Sequence, residues 1–88
     1  MTVLFEQKMI GLGSVRVTEE AVIIQRPMNT QTIARSSIIG LDRRVTMFGV
    51  FGKGGRTRVT IQTNGGPIAF DMTPNSAAEK LAQVLGYA

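Results

Sequence analysis

The 88 residues, 43% of them hydrophobic, suffice for one domain over residues 1–88 with a thin core, because a chain of this size hides only about 60 to 65% of its unfolded surface. Cysteine and histidine are both absent, which excludes disulfide staples and thiolate zinc sites and removes the commonest general base and transition-metal ligand, so no enzyme, catalytic residue, metal site or cofactor is expected. The net charge of +4 comes from ten Lys and Arg against six Asp and Glu, with five of the ten cations between Arg43 and Arg58, a bias that suits an anionic partner or simply solvates a strand face.

The opening segment MTVLFEQKMI carries Glu6, Gln7 and Lys8 inside its apolar run, which is not the pattern of a secretory leader. The uncharged stretch from Val45 to Gly52 is far too short to span a bilayer. A cytoplasmic protein, or one held peripherally at a membrane, is expected. Val3 to Ile10 alternates as a strand, and Gly11-Leu12-Gly13 turns the chain. Ser14 to Thr18 sets Val15 and Val17 on one side against Ser14, Arg16 and Thr18 on the other, the period-2 pattern of a half-buried strand. Glu19-Glu20 then reverses direction.

Ala21 to Arg26 is β-branched and nearly continuous, as a central strand is. Pro27 ends it because proline has no N–H for a ladder. Met28-Asn29 leads into Thr30 to Arg35, with Ile33 inward. This segment is polar and follows a proline, so it is expected at a sheet edge, with Thr30, Thr32 and Ala34 available to a further strand. After Ser36-Ser37 comes a long run, Ile38 to Phe48, in which Ile39, Leu41, Val45 and Met47 share one parity. Its length would let it bend from one sheet into another.

Gly49 to Gly55 reads GVFGKGG, a glycine-rich connection. Arg56 to Asn64 alternates again, with Val59, Ile61 and Thr63 inward and Arg58, Thr60 and Gln62 outward. Asn64-Gly65-Gly66 supplies residues that tolerate positive φ in a two-residue hairpin turn. Ile68, Phe70 and Met72 form the inner face of the last strand. Thr73 or Asn75 is expected to cap a helix through Leu85, with Pro74 suited to a first turn. Ala78, Leu81, Ala82 and Leu85 fall on one stripe, Glu79, Lys80 and Gln83 face water, and Gly86 stops the helix.

Sheet first and one helix last define a mainly β chain with seven strands and a C-terminal helix. The segments VRVTEEAVIIQR, TIARSSIIGLDRR, RVTIQTNGGPIAFDM and NSAAEKLAQVL resemble those of bacterial pleckstrin-homology-like (PH-like) domains. The resemblance implies a bent antiparallel half-barrel of four plus three strands capped at one end by the helix. It also implies a role in oligomer formation and protein contacts. Phosphoinositide-binding members of the superfamily carry several cations on the first two strands and their loop. Here that loop is Gly11-Leu12-Gly13, with Lys8 and Arg16 beside it, so no specific phosphoinositide is expected.

The sharpest candidate contact region runs from Met47 to Arg56. Phe48, Val50 and Phe51 cannot all turn inward on so glycine-rich a stretch, and Lys53, Arg56 and Arg58 stand next to them. Apolar tips beside cations suit a protein or self-association contact, or an anionic membrane surface. A phosphate cradle at Gly52 to Arg56 is disfavoured because the stretch leads into a strand and not a helix start. Nucleic-acid binding along a basic hairpin ranks third, since Arg43 and Arg44 point to opposite faces and only one can join Arg56 and Arg58.

Overall fold

The computed structural model describes residues 2–8, 13–48 and 54–87. The strands are β1 (Val3–Lys8), β2 (Ser14–Thr18), β3 (Ala21–Gln25), β4 (Thr30–Ala34), β5 (Ile38–Met47), β6 (Arg56–Thr63) and β7 (Gly66–Met72), followed by helix α1 (Asn75–Leu85). They form two antiparallel sheets, β1-β2-β3-β4 and β5-β6-β7, which no described ladder joins to each other. The mainly β chain with seven strands and a C-terminal helix is thus as expected.

Period-2 alternation builds the core directly. In the first sheet Val17 sits opposite Val22 and Val22 opposite Ile33, with Val15 opposite Ile24 in the next inward row. All five are buried. In the second sheet Val59 lies opposite Phe70 and Ile61 opposite Ile68, while Thr57 meets Met72. Each such side chain contributes roughly 1.5 to 3 kcal/mol when removed fully from water. Ala77, Ala78, Leu81, Ala82 and Leu85 complete the cluster from the helix, and the alanines there let the helix backbone come close to the sheets. β3, the continuous β-branched strand, is interior to its sheet.

Local chemistry sets the turns. The Thr18 hydroxyl accepts N–H bonds from Glu20 at 3.3 Å and Ala21 at 3.1 Å, which holds the Glu19-Glu20 reversal and explains why Thr18 is buried although its parity points outward. Thr63 does the same at the β6–β7 turn, accepting from the Gly65 N–H at 3.1 Å. The left-handed backbone there falls at Gly66, with φ 118°, one residue later than a two-residue turn of the expected type would place it. Gly86 takes φ 85° at the helix end, where a Cβ would be strained, and the Tyr87 N–H closes onto the Ala82 carbonyl at 2.8 Å, as a Schellman-type stop requires.

Three expectations are corrected. First, the chain changes sheets at a 3-10 turn, Arg35–Ser37, and not by bending within β5. Arg35 therefore does not extend β4. Its guanidinium donates to the Val84 carbonyl at 3.2 Å, so a cation sits in the last turn of α1 where the helix dipole favours it. Second, neither Thr73 nor Asn75 caps the helix: Pro74 occupies the cap position with no side-chain cap bond. The Asn75 side chain instead donates to Thr57 Oγ1 at 2.8 Å and the Met47 carbonyl at 3.2 Å.

Third, Ile39 and Met47 do not share a face of β5 with Leu41 and Val45. The β5–β6 register shifts between Ile38 and Gly40 and again between Val45 and Met47, and each bulge resets the inward parity. Ile38 and Leu41 pack partly against the core. Ile39 and Met47, beyond the shifts, are 67% and 59% exposed, while Val45, opposite the buried Thr57 on the inner side, is still 42% exposed.

Candidate contact surface

The Met47–Arg56 end of the β5–β6 hairpin is anchored to the start of α1. Besides its two side-chain bonds, Asn75 donates its backbone N–H to the Gly54 carbonyl at 3.3 Å. Thr57, which accepts from Asn75, is itself buried, so the clamp ties both roots of the 49–53 connection to the packed body of the molecule. The Thr46 hydroxyl adds a longer bond to the Arg56 carbonyl at 3.4 Å.

The two faces of the hairpin differ in charge. Arg43, opposite Val59 on the inner side, reaches across to Glu79 on α1 and forms an ion pair. Arg44 lies on the outer side, directly opposite Arg58, a juxtaposition of like charges that costs stability. Asp71, on the far side of Arg58, approaches it only to 3.9 Å. Arg44 makes no ion pair among the described residues. The Asp42 carboxylate, two residues earlier, accepts a 3.0 Å bond from Gln62 Nε2. With Arg56 exposed at the head of β6, the outer face carries three arginines against two carboxylates. Of the two adjacent arginines, Arg44 is the one that joins Arg56 and Arg58.

Exposed apolar side chains flank these charges. Phe48 is 82% exposed and stands next to Met47. Arg58 is also exposed, whereas Val50, Phe51 and Lys53 lie outside the described residues. Thr30, Thr32 and Ala34 are exposed on β4, the edge strand of the first sheet. They stand apart from Phe48 and Arg58, on a different sheet.

Sequence reasoning missed that β5 is itself an edge strand and the longest in the molecule. The run Asp42-Arg43-Arg44 was the available signal, because charges on consecutive residues put a charge on both faces, which a strand covered on one side rarely tolerates. In the first sheet, Arg16 on β2 is already paired with Glu6 on β1 at 2.7 Å. Among the described residues no three Asp or Glu side chains gather as a metal site would need, and no helix is long and apolar enough to cross a membrane. No family model, no curated protein and no solved structure matches the chain.

Proposed function

We propose that this chain is a non-enzymatic interaction module of PH-like architecture that associates with itself or with a protein partner through the Phe48 to Arg56 region and an exposed strand edge. The strand order, four then three with a terminal helix, supports the architectural kinship. The observation that carries the functional reading is the 82% exposure of Phe48 beside Met47, at 59%, on a strand end clamped by Asn75. Large apolar side chains held out in water on a firm base, with arginines around them, form the kind of patch that contacts use. Covering such a ring contributes roughly 1.5 to 3 kcal/mol.

Sedimentation velocity over the micromolar range tests this. Mass should rise with concentration, and Phe48→Ser should shift the rise to higher concentration. A monomer throughout that also captures no protein partner would contradict the reading.

A second reading, peripheral binding to an anionic membrane, is favoured by one observation: Arg44, Arg56 and Arg58 share the face next to Phe48. Juxtamembrane cations contribute about 1 kcal/mol each near an anionic leaflet. Pelleting with phosphatidylserine vesicles that weakens in salt and on Arg58→Gln would support it. Equal pelleting with neutral vesicles would not.

A further inference from the structure

We propose that β5 pairs antiparallel with β5 of a second copy, about a two-fold axis through Arg43, so that Asp42 of each chain faces Arg44 of the other. This rests on the self-association reading above and specifies its partner and register.

Among the described residues β5 is hydrogen-bonded to β6 along one side only, and every residue from Asp42 to Met47 is exposed. Its register with β6 is unbroken from Gly40 to Val45, between the two bulges. That window is a regular, flat edge, the kind that accepts another strand. Two-fold pairing is isologous, so a residue and its opposite exchange roles in the two chains. A continuous sheet also requires directly opposed residues to share a face, which restricts the axis to one residue or another.

The side chains choose among these registers. An axis at Asp42 sets Asp42 against its own copy, and an axis at Arg44 does the same with arginine. Only the axis at Arg43 puts opposite charges together, and it does so twice, at Asp42 with Arg44 and at Arg44 with Asp42. In the same register Leu41 faces Val45 of the second copy on the inner side, both inside the unbulged window. Arg44, pressed within its own chain against Arg58, gains a carboxylate on its other flank. The cost is Arg43 beside its copy, and each Arg43 guanidinium is already drawn to Glu79 of its own helix. Of the remaining edge strands, β4 presents Thr30, Thr32 and Ala34, none charged, and so contains nothing that selects a register; β1 has its Glu6 already paired with Arg16, and β7 carries Pro67, which cannot donate to a ladder.

The absence of cysteine makes the test direct. In Arg43→Cys the two thiols flank the axis with Cβ atoms about 4.5 to 5.5 Å apart, close enough for a disulfide after small adjustment. Mild oxidation with glutathione disulfide should yield a covalent dimer of Arg43→Cys, with two glutathione thiols released, while Thr32→Cys on β4 stays uncrosslinked. Independently, Asp42→Arg should raise the dimer dissociation constant on the order of tenfold, and the exchange Asp42→Arg with Arg44→Asp should restore it to within about threefold of the original chain. Circular dichroism on each variant separates misfolding from lost pairing, and the charge exchange needs no thiol. A concentration-dependent dimer that crosslinks through Thr32→Cys, or that ignores the charge exchange, overturns the β5 register and leaves self-association standing. A chain that is monomeric at every concentration and crosslinks at neither position defeats both.

Discussion

β5 and β6 are neighbours in one ladder, yet they live in different solvents. On β6, Thr57, Val59 and Ile61 are buried; directly opposite on β5, Val45, Arg43 and Leu41 are exposed or only half-buried. The alternation of each strand is similar, so the pattern alone does not decide which is covered. Position relative to the helix and β7 does. β6 lies between two strands and under α1, whereas β5 has one strand neighbour among the described residues and carries bulges that swing Ile39 and Met47 out. A central strand spends its inner face on the core, and an edge strand keeps part of it for contact.

Replacing residues on either side of this contrast should sharpen it. Leu81→Ala, in the helix over the core, should cost about 2 to 5 kcal/mol by leaving a cavity among well-packed neighbours. Val45→Ala, at an apolar position on β5, should stay within about 0.5 kcal/mol, both read from urea midpoints at low protein concentration. Equal losses would break the comparison. Asn75→Ala should cost about 1 to 2 kcal/mol, because it leaves the buried Thr57 hydroxyl without its donor. It should also raise proteolytic cleavage between Met47 and Arg56, and unchanged cleavage would show that the clamp does not hold the hairpin end.

The smallest effect has the opposite sign. Arg44→Gln should stabilise the monomer by a few tenths of a kcal/mol by removing the charge opposite Arg58, and the gain should shrink as salt screens the pair. A loss in place of a gain would mean that Arg44 is satisfied within its own chain.

Most of the fold was legible in the sequence for identifiable reasons. Val15, Val17, Val22, Ile24, Ile33, Val59, Ile61, Phe70 and Met72 lie on regular strands where period-2 reading works. Leu81, Leu85 and Gly86 obey helix periodicity and stop chemistry. Reading failed where one residue shifts a register. Nothing in the side chains of Ile38-Ile39-Gly40 or Val45-Thr46-Met47 declares a bulge, so Ile39 and Met47 looked as if they shared a face with Leu41 and Val45. The helix start failed for another reason: Asn75 has the chemistry of a cap, but a long-range partner, Thr57, takes its side chain. Of the contact region, Phe48, Arg56 and Arg58 were visible as apolar tip and cations. The importance of Asp42 and Arg44 was not, since it depends on β5 having a free edge, which is a property of the strand order.

The central claim is that the outer edge of β5 is a contact surface. Amide hydrogen exchange followed as protein concentration rises tests it most directly, because edge amides that face water exchange quickly and those in a new ladder do not. The account predicts added protection in the Leu41 to Val45 stretch at high concentration, with Thr30 to Ala34 on β4 unchanged. Exchange from Leu41 to Val45 that is independent of concentration while the mass of the particle increases would contradict it.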